Sequence, residues 1–311
     1  MTATAPAAGE TWSGCHGVRL RSTAGLDLGR AAGVPLADAT LERGPVGDPA
    51  GEEIWRLALD VETPDGTVHA EQALWRRDDG SLLVRSDRGD GLEVDTDRTS
   101  VTVAGRDDAV MAQLVATYGL PLLLHGAPVL VVHAAACALD GRAVLVSGER
   151  GRGKSSILVG LTDAGWAPVT EDLCAIDLRG PAPVLWPGPP WVRRVHGEPG
   201  PAGAAVRFET YDKTGWDIGP RQPGEPVTLG AIVSLEAPGG NRPVCAALPR
   251  AEGVRRLAAD AVWLHEGDDR GRAQFGMVTQ VTGAVPTMQL QVPRDQSWLD
   301  PVPELLAAAL G

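Results

Sequence analysis

Gly148-Glu149-Arg150-Gly151-Arg152-Gly153-Lys154-Ser155 fits the pattern GxxxxGK[ST] at every fixed position. An apolar run, Ala143–Val146, leads into it, and a helical pattern leaves it from Lys154 to about Ala164. That context gives the spacing a physical reading. Small residues let backbone N–H groups turn inward around phosphate oxygens, and the start of the following helix adds positive potential. The Lys154 ammonium then reaches the outer phosphates, and the Ser155 hydroxyl is a ligand for Mg²⁺. The stretch Gly148, Glu149, Arg150, Gly151, Arg152, Gly153, Lys154, Ser155 and Ser156 is therefore the expected nucleotide site, with ATP and Mg²⁺ as cofactors. Arg150 and Arg152 are expected to face solvent. The competing reading is a glycine-rich turn that happens to join a strand to a helix.

Composition supports the lysine independently. Of 28 basic residues only Lys154 and Lys213 are lysines, and asparagine occurs once, at Asn241. A GC-rich coding bias replaces lysine by arginine, so a lysine that persists marks a place where a broad guanidinium cannot serve. The 28 basic and 40 acidic residues give a net charge of −12, which argues against a general nucleic-acid binder. No run of 18 apolar residues occurs, so no membrane span is expected. Residues 1–10 lack a basic segment followed by an apolar one, so no secretory signal is expected. Cys15, Cys137, Cys174 and Cys245 stand far apart without a CxxC, which suits reduced thiols in a cytoplasmic protein.

Outward from the loop, strands Val129–Cys137 and Arg142–Ser147 flank Asp140-Gly141, a strong hairpin signal. Beyond the helix comes a strand at Pro168–Leu178. Residues 180–226 are rich in Pro and Gly, with Trp186, Trp191 and Trp216, and read as ordered loops; Trp186 and Trp191 either wall a cleft or anchor those loops. A strand Leu229–Leu235, a helix Ala251–Trp263, a strand Thr287–Val292 and a terminal helix Pro303–Leu310 follow. Toward the N-terminus, residues 1–50 show weak periodicity and one strand around Val18–Leu28. Trp55, Leu57, Leu59 and Val61 then alternate up to a turn at Pro64–Gly66. Strands at His69–Arg76, Ser81–Arg85, Leu92–Thr96 and Ser100–Ala104 complete an expected antiparallel layer with Trp55 and Trp75 in its core. A helix at Asp107–Tyr118, capped by Asp107 or Asp108, is expected to stop at Gly119-Leu120-Pro121. The expected organisation is an N-terminal β-rich domain over 1–120 and an α/β domain over 121–311, carrying the loop on a mixed sheet with flanking helices.

Four further side chains carry candidate chemistry. Glu171 and Asp172, read as neighbours on a strand and so facing opposite ways, would give one carboxylate to the metal and one to an attacking hydroxyl. Glu171 is the metal candidate and Asp172 the base. His133 interrupts the apolar strand Val131–Ala136 and is the alternative base. This order resembles the HPr serine kinase/phosphorylase superfamily: His133, hairpin, Gly148–Ser155, helix, then Gly165-Trp166-Ala167-Pro168-Val169-Thr170-Glu171-Asp172. It looks closest to the HPr-kinase-like proteins of bacterial peptide-modification gene clusters. The resemblance implies a P-loop kinase core of HPr-kinase type, with Gly148, Gly153, Lys154 and Ser155 on phosphate and metal. It also implies Asp172 as the catalytic carboxylate and His133 as the family histidine. Glu171 stands where the family usually carries Asp, and its Arg-Gly-Leu-Gly signature is missing, which points to an acceptor other than HPr. Lys213 is expected to bring a second cation from a loop, with Arg193, Arg194 and Arg221 as alternatives. The expected partner is a hydroxyl-bearing peptide or small molecule, with a homo-oligomer possible. A nucleotide-binding scaffold without acceptor chemistry is the alternative; a transport ATPase would need motifs that are absent.

Overall fold

The computed structural model describes residues 11–29, 35–63, 66–210, 213–236, 239–262, 268–293 and 300–311. Expectations for residues 1–10, the Pro64-Asp65 corner, Tyr211-Asp212 and Trp263 lie outside the described residues. The chain forms two compact units. The first comprises Met1–Ala127 with two short pieces, Val195–Gly197 and Phe208–Gly215; the second is Pro128–Arg194, Glu198–Arg207 and Trp216–Gly311.

The first unit is built on eight strands: β1 (Thr11–Ser13), β2 (Val18–Ser22), β3 (Ala37–Arg43), β4 (Glu52–Thr63), β5 (Gly66–Arg76), β6 (Leu82–Ser86), β7 (Gly91–Val94) and β8 (Ser100–Ala104). Strands β4 to β8 form the expected meander, but the sheet order is β1-β2-β3-β8-β7-β6-β5-β4. Because β3 lies parallel to both β2 and β8, the layer is mixed and not purely antiparallel. The short buried residues Ala39 and Leu41 give β3 too little alternation to be seen in sequence. The core is Leu41, Leu74, Leu82, Leu83, Leu92, Val101 and Val103. Trp55 and Trp75 are only half-buried: Trp55 tilts against Tyr118, Trp75 lies beneath Arg56, and Leu57 is exposed. Strand β4 is an edge, so its alternating face is not wholly covered.

Asp107 caps α1 (Asp108–Leu114) by accepting the Val110 N–H at 2.8 Å. The helix does not stop at Gly119-Leu120-Pro121. A π turn at Val115–Gly119 widens the ladder, with the Leu120 N–H donating to the Val115 carbonyl, and α2 (Leu120–Leu124) continues. The wider turn accommodates a proline that has no N–H of its own to give.

The second unit carries β9 (Val129–Val132), β10 (Ala134–Leu139), β11 (Arg142–Ser147), α3 (Lys154–Asp163), β12 (Ala167–Thr170) and β13 (Cys174–Asp177). There follow β14 (Val184–Leu185), then β15 (Trp191–Val195), β16 (Val206–Glu209) and β17 (Lys213–Asp217), of which Val195, Phe208–Glu209 and Lys213–Gly215 are counted in the first unit, and then β18 (Val227–Leu235) and β19 (Val244–Ala247). Last come α4 (Arg250–Asp260), α5 (Asp268–Ala284), β20 (Thr287–Gln291) and α6 (Val302–Leu310). The 180–226 region therefore contains strands, and β15-β17-β16 form a small sheet. Trp186 and Trp191 are buried anchors, and the Trp186 Nε1–H donates to Asp177.

The main sheet runs β12-β10-β11-β18-β14-β13-β9, with β20 on β18 and β19 on β20. Strand β11 pairs antiparallel with β10 and parallel with β18. Alternation along β11 sends Val144 and Val146 to one face, with Ile157, Leu161 and Leu306 of α3 and α6. Ala143 and Leu145 go to the other, with Leu257, Val278 and Val281 of α4 and α5. No described helix is long and apolar enough to cross a membrane.

Candidate active site

Strand β11 ends at Ser147, and the chain reaches α3 through Gly148–Gly153. Gly148, Gly151 and Gly153 have φ of 137°, 79° and 99°, a region that side chains resist. A Cβ on Gly148 would also lie 3.1 Å from Leu235 Cβ, so this glycine lets the loop rest against β18. Gly153 caps α3 in the left-handed conformation. Lys154 is buried, and its Nζ donates to the Gly148 and Glu149 carbonyls at 2.6 and 3.2 Å. Glu149 and Arg150 are exposed, while Arg152 turns back to pair with Glu149 and latches the loop. The Ser156 hydroxyl accepts from Arg194 at 2.9 Å.

The carboxylates are not on a strand. The run at 168–178 is broken between β12 and β13, and Glu171, Asp172 and Leu173 occupy the break. Asp172 has φ 73°, and the Leu173 N–H donates to the Glu171 carbonyl at 2.9 Å, the bond of a three-residue turn. Strand alternation therefore does not set where the two side chains point. The strand read at 129–137 breaks in the same way, at His133, between β9 and β10. The breaks are stitched together, because the Asp172 carbonyl accepts the Ala134 N–H at 3.1 Å. A non-glycine residue held at positive φ stores strain, which concentrates at functional positions.

The turn brings both carboxylates toward the loop. Glu171 accepts the Ser155 hydroxyl at 2.7 Å. Asp172 Oδ1 lies 3.4 Å from His133 Nδ1, and its Oδ2 lies 2.5 Å from Arg193 Nη2. The Arg193 Nε is 3.9 Å from Glu171, so one guanidinium faces both acids. Glu171 and Arg193 are 6% and 9% exposed, whereas Asp172 and His133 are 22% and 41% exposed. Solvent therefore reaches the Asp172–His133 pair, while Glu171 and Arg193 are buried.

Among the described residues no group of three or more His, Cys, Asp or Glu side chains is arranged to hold a metal by itself. The hydroxyl of Ser155 bonded to one carboxylate is a donor set suited to Mg²⁺, which usually takes its remaining ligands from water and phosphate. The thiols do not enter this chemistry: burial pushes Cys137 up to about 12 and Cys174 well above the ordinary range.

No family model matches the chain, and no curated protein matches it. Among solved structures it is similar to the Hpr(Ser) kinase/phosphatase from Coxiella burnetii. That likeness has 14% identity, covers 58% of this chain and 93% of the other, and has a TM-score of 0.30. The roles of individual residues accordingly rest on the geometry above.

Lys213 begins β17 and belongs, with Phe208–Gly215, to the first compact unit. Arg221 donates to the Ala202 carbonyl. Of the alternative cations, Arg193 and Arg194 stand against the carboxylates and the loop helix. Sequence reasoning missed Asp260 altogether. It closes α4, its carbonyl accepts the His133 N–H at 2.7 Å, and its carboxyl lies in the electrostatic field of Lys154 and His133. Burial, the largest influence, raises that carboxyl above its ordinary value against the pull of those partners.

Proposed function

We propose that the chain is an ATP-dependent phosphotransferase that moves the γ-phosphoryl group to a hydroxyl of a peptide or small molecule. The observation that carries this reading is the 2.7 Å bond from Ser155 to Glu171, which joins the glycine loop to the Asp172–His133 pair. In this reading the loop N–H groups and the start of α3 bind the phosphates, and Lys154 exchanges its carbonyl partners for phosphate oxygens. Ser155 and Glu171 would hold Mg²⁺, which when bound neutralises charge on the phosphates. Asp172 accepts the proton of the acceptor hydroxyl as its oxygen bonds to phosphorus and ADP leaves. Arg193 holds Asp172 in place for that task from one side, and His133 orients it on the exposed side.

The test pairs two variants. Lys154→Ala should weaken Mg-ATP binding by calorimetry. Asp172→Asn should bind Mg-ATP normally but lose about 10²–10⁴-fold in turnover, because an amide cannot take the proton. Turnover is read with γ-labelled ATP against hydroxylated peptides and metabolites. Wild-type binding in Lys154→Ala would remove the nucleotide site, and wild-type turnover in Asp172→Asn would move the base to His133.

A further inference from the structure

Two neighbouring arginines on β15 serve different parts of the site. Successive side chains on a strand face opposite ways, and Arg193 turns to the two acids while Arg194 turns to α3. The Arg194 side chain is 6% exposed, and its Nη1 donates to the Ser156 hydroxyl at 2.9 Å. Its ion pair is with Glu198, also at 2.9 Å, whose side chain is 42% exposed. The Nε–H is buried and has no hydrogen-bond partner among the described residues. A buried cation is stable when its charge and its N–H groups are both matched, and a half-exposed acid at one edge leaves that match incomplete. Ser156 lies in the first turn of α3 and is half-buried. The helical ladder opens with the Ile157 N–H on the Gly153 carbonyl at 2.9 Å, so the Ser156 N–H precedes it and is directed out of the helix end.

We propose that Arg194 binds the inner phosphates of the nucleotide, with the Ser156 hydroxyl and N–H beside it and Glu198 as the anion those phosphates displace. The proposal deepens the phosphotransferase reading and rests on it. In a glycine loop of this spacing the backbone N–H groups cradle the α- and β-phosphates, whereas the lysine reaches the β- and γ-phosphates and the serine hydroxyl serves the metal. Ser156 follows that serine into the helix, so a guanidinium bonded to Ser156 stands on the inner side. Arg193, facing Asp172 and Glu171, is engaged at the outer end. The planar fork of an arginine presents parallel N–H groups to two phosphate oxygens, which a point charge cannot do. In the free protein Glu198 holds one edge of that fork, and a half-exposed partner is released at little cost.

Calorimetry with Mg-ATP and Mg-ADP tests this, because ADP keeps the inner phosphates and lacks the γ-phosphate. Arg194→Gln should weaken both ligands by the same factor, on the order of 10–100-fold, the size of a hydrogen bond to a charged group. Glu198→Gln removes the competing anion and should tighten both by roughly two- to fivefold. That gain should vanish in the double variant, since it acts through Arg194. A residue that only supports the fold would give losses in Arg194→Gln and no gain in Glu198→Gln. Because Glu198 is half-exposed, its variant decides the matter even where Arg194→Gln fails to fold. A loss for Mg-ATP with wild-type affinity for Mg-ADP would move Arg194 to the γ-phosphate and overturn the assignment. Unchanged or weaker affinity in Glu198→Gln would overturn it too. A wild type that binds neither ligand would instead bring down the phosphotransferase reading, and the proposal with it.

Discussion

Arg193 illustrates how much one side chain settles in this site. It is buried, faces Asp172 and Glu171 together, and stands on a strand that the sequence presents only as a Pro- and Trp-rich loop. Removing a buried partner leaves the remaining charges uncompensated, which typically costs about 3–5 kcal/mol. Arg193→Ala should therefore lower urea stability by about 3 kcal/mol, and Arg193→Lys should recover little, since a point charge cannot span two carboxylates. A loss under about 0.5 kcal/mol, the range of ordinary surface changes, would show that the acids do not depend on it. Two other aspartates titrate in opposite directions. Burial pushes Asp177 up, but hydrogen bonds from Arg179 and Trp186 outweigh it and leave the carboxyl below its ordinary value. Its stabilising contribution is present above the unfolded value, about 3.9, and is lost as pH falls through the folded one. At Asp260 burial wins, so ionisation costs stability as pH rises from the unfolded value through the raised folded one. Asp177→Asn should flatten the acid limb of stability below about pH 4, measured by urea titrations at several pH values. An unchanged limb would place the acid sensitivity elsewhere.

The elements nearest the loop were legible because their signals are local. The Asp140-Gly141 turn, with both residues at positive φ, joins β10 to β11 in the register its two-residue length dictates. Gly148–Ser155 and the helix after it stand where the motif puts them. The breaks at His133 and at 171–173 were not legible, since each run reads as one strand that carries its polar residues along. What divides each run is pairing: β10 joins β11 and β12, while β9 joins β13, and no local feature records that exchange. Asp260 was hidden for a related reason. Its role depends on where α4 docks, and that is fixed at Gly253, where an added Cβ would meet Thr287 Oγ1 at 2.5 Å and Thr287 Cβ at 2.9 Å. Glycine inside a helix normally gains about 1 kcal/mol on replacement by alanine. Here Gly253→Ala should lose about 1–3 kcal/mol by overpacking against β20. Thr287→Ala, which removes the hydroxyl and methyl, should restore part of that loss in the double variant. Additive thermal shifts in the pair would show that α4 is not held at this contact.

At the scale of the molecule, the first compact unit draws two short pieces from the second half of the chain, and Lys213 lies in one of them. Discontinuity of this kind leaves no trace in periodicity or composition. The second unit contains a different long-range dependence. The glycine loop rests against β18: Ser147 pairs with Ser234 in the parallel ladder, their hydroxyls are 3.3 Å apart, and Gly148 packs on Leu235. A hairpin such as β10–β11 closes within roughly 1–10 μs, but a parallel partner separated by so much intervening chain must first meet the entropy of a long closure. The loop therefore acquires its floor late in folding, after the strand that leads into it. A ligand that needs this floor has nothing to hold in the transition state, so Mg-ATP should slow unfolding and leave the refolding rate unchanged. In stopped-flow chevrons the expected shift is confined to the unfolding limb. Faster refolding with nucleotide present would mean that the hairpin and the first turn of α3 capture phosphate before β18 arrives.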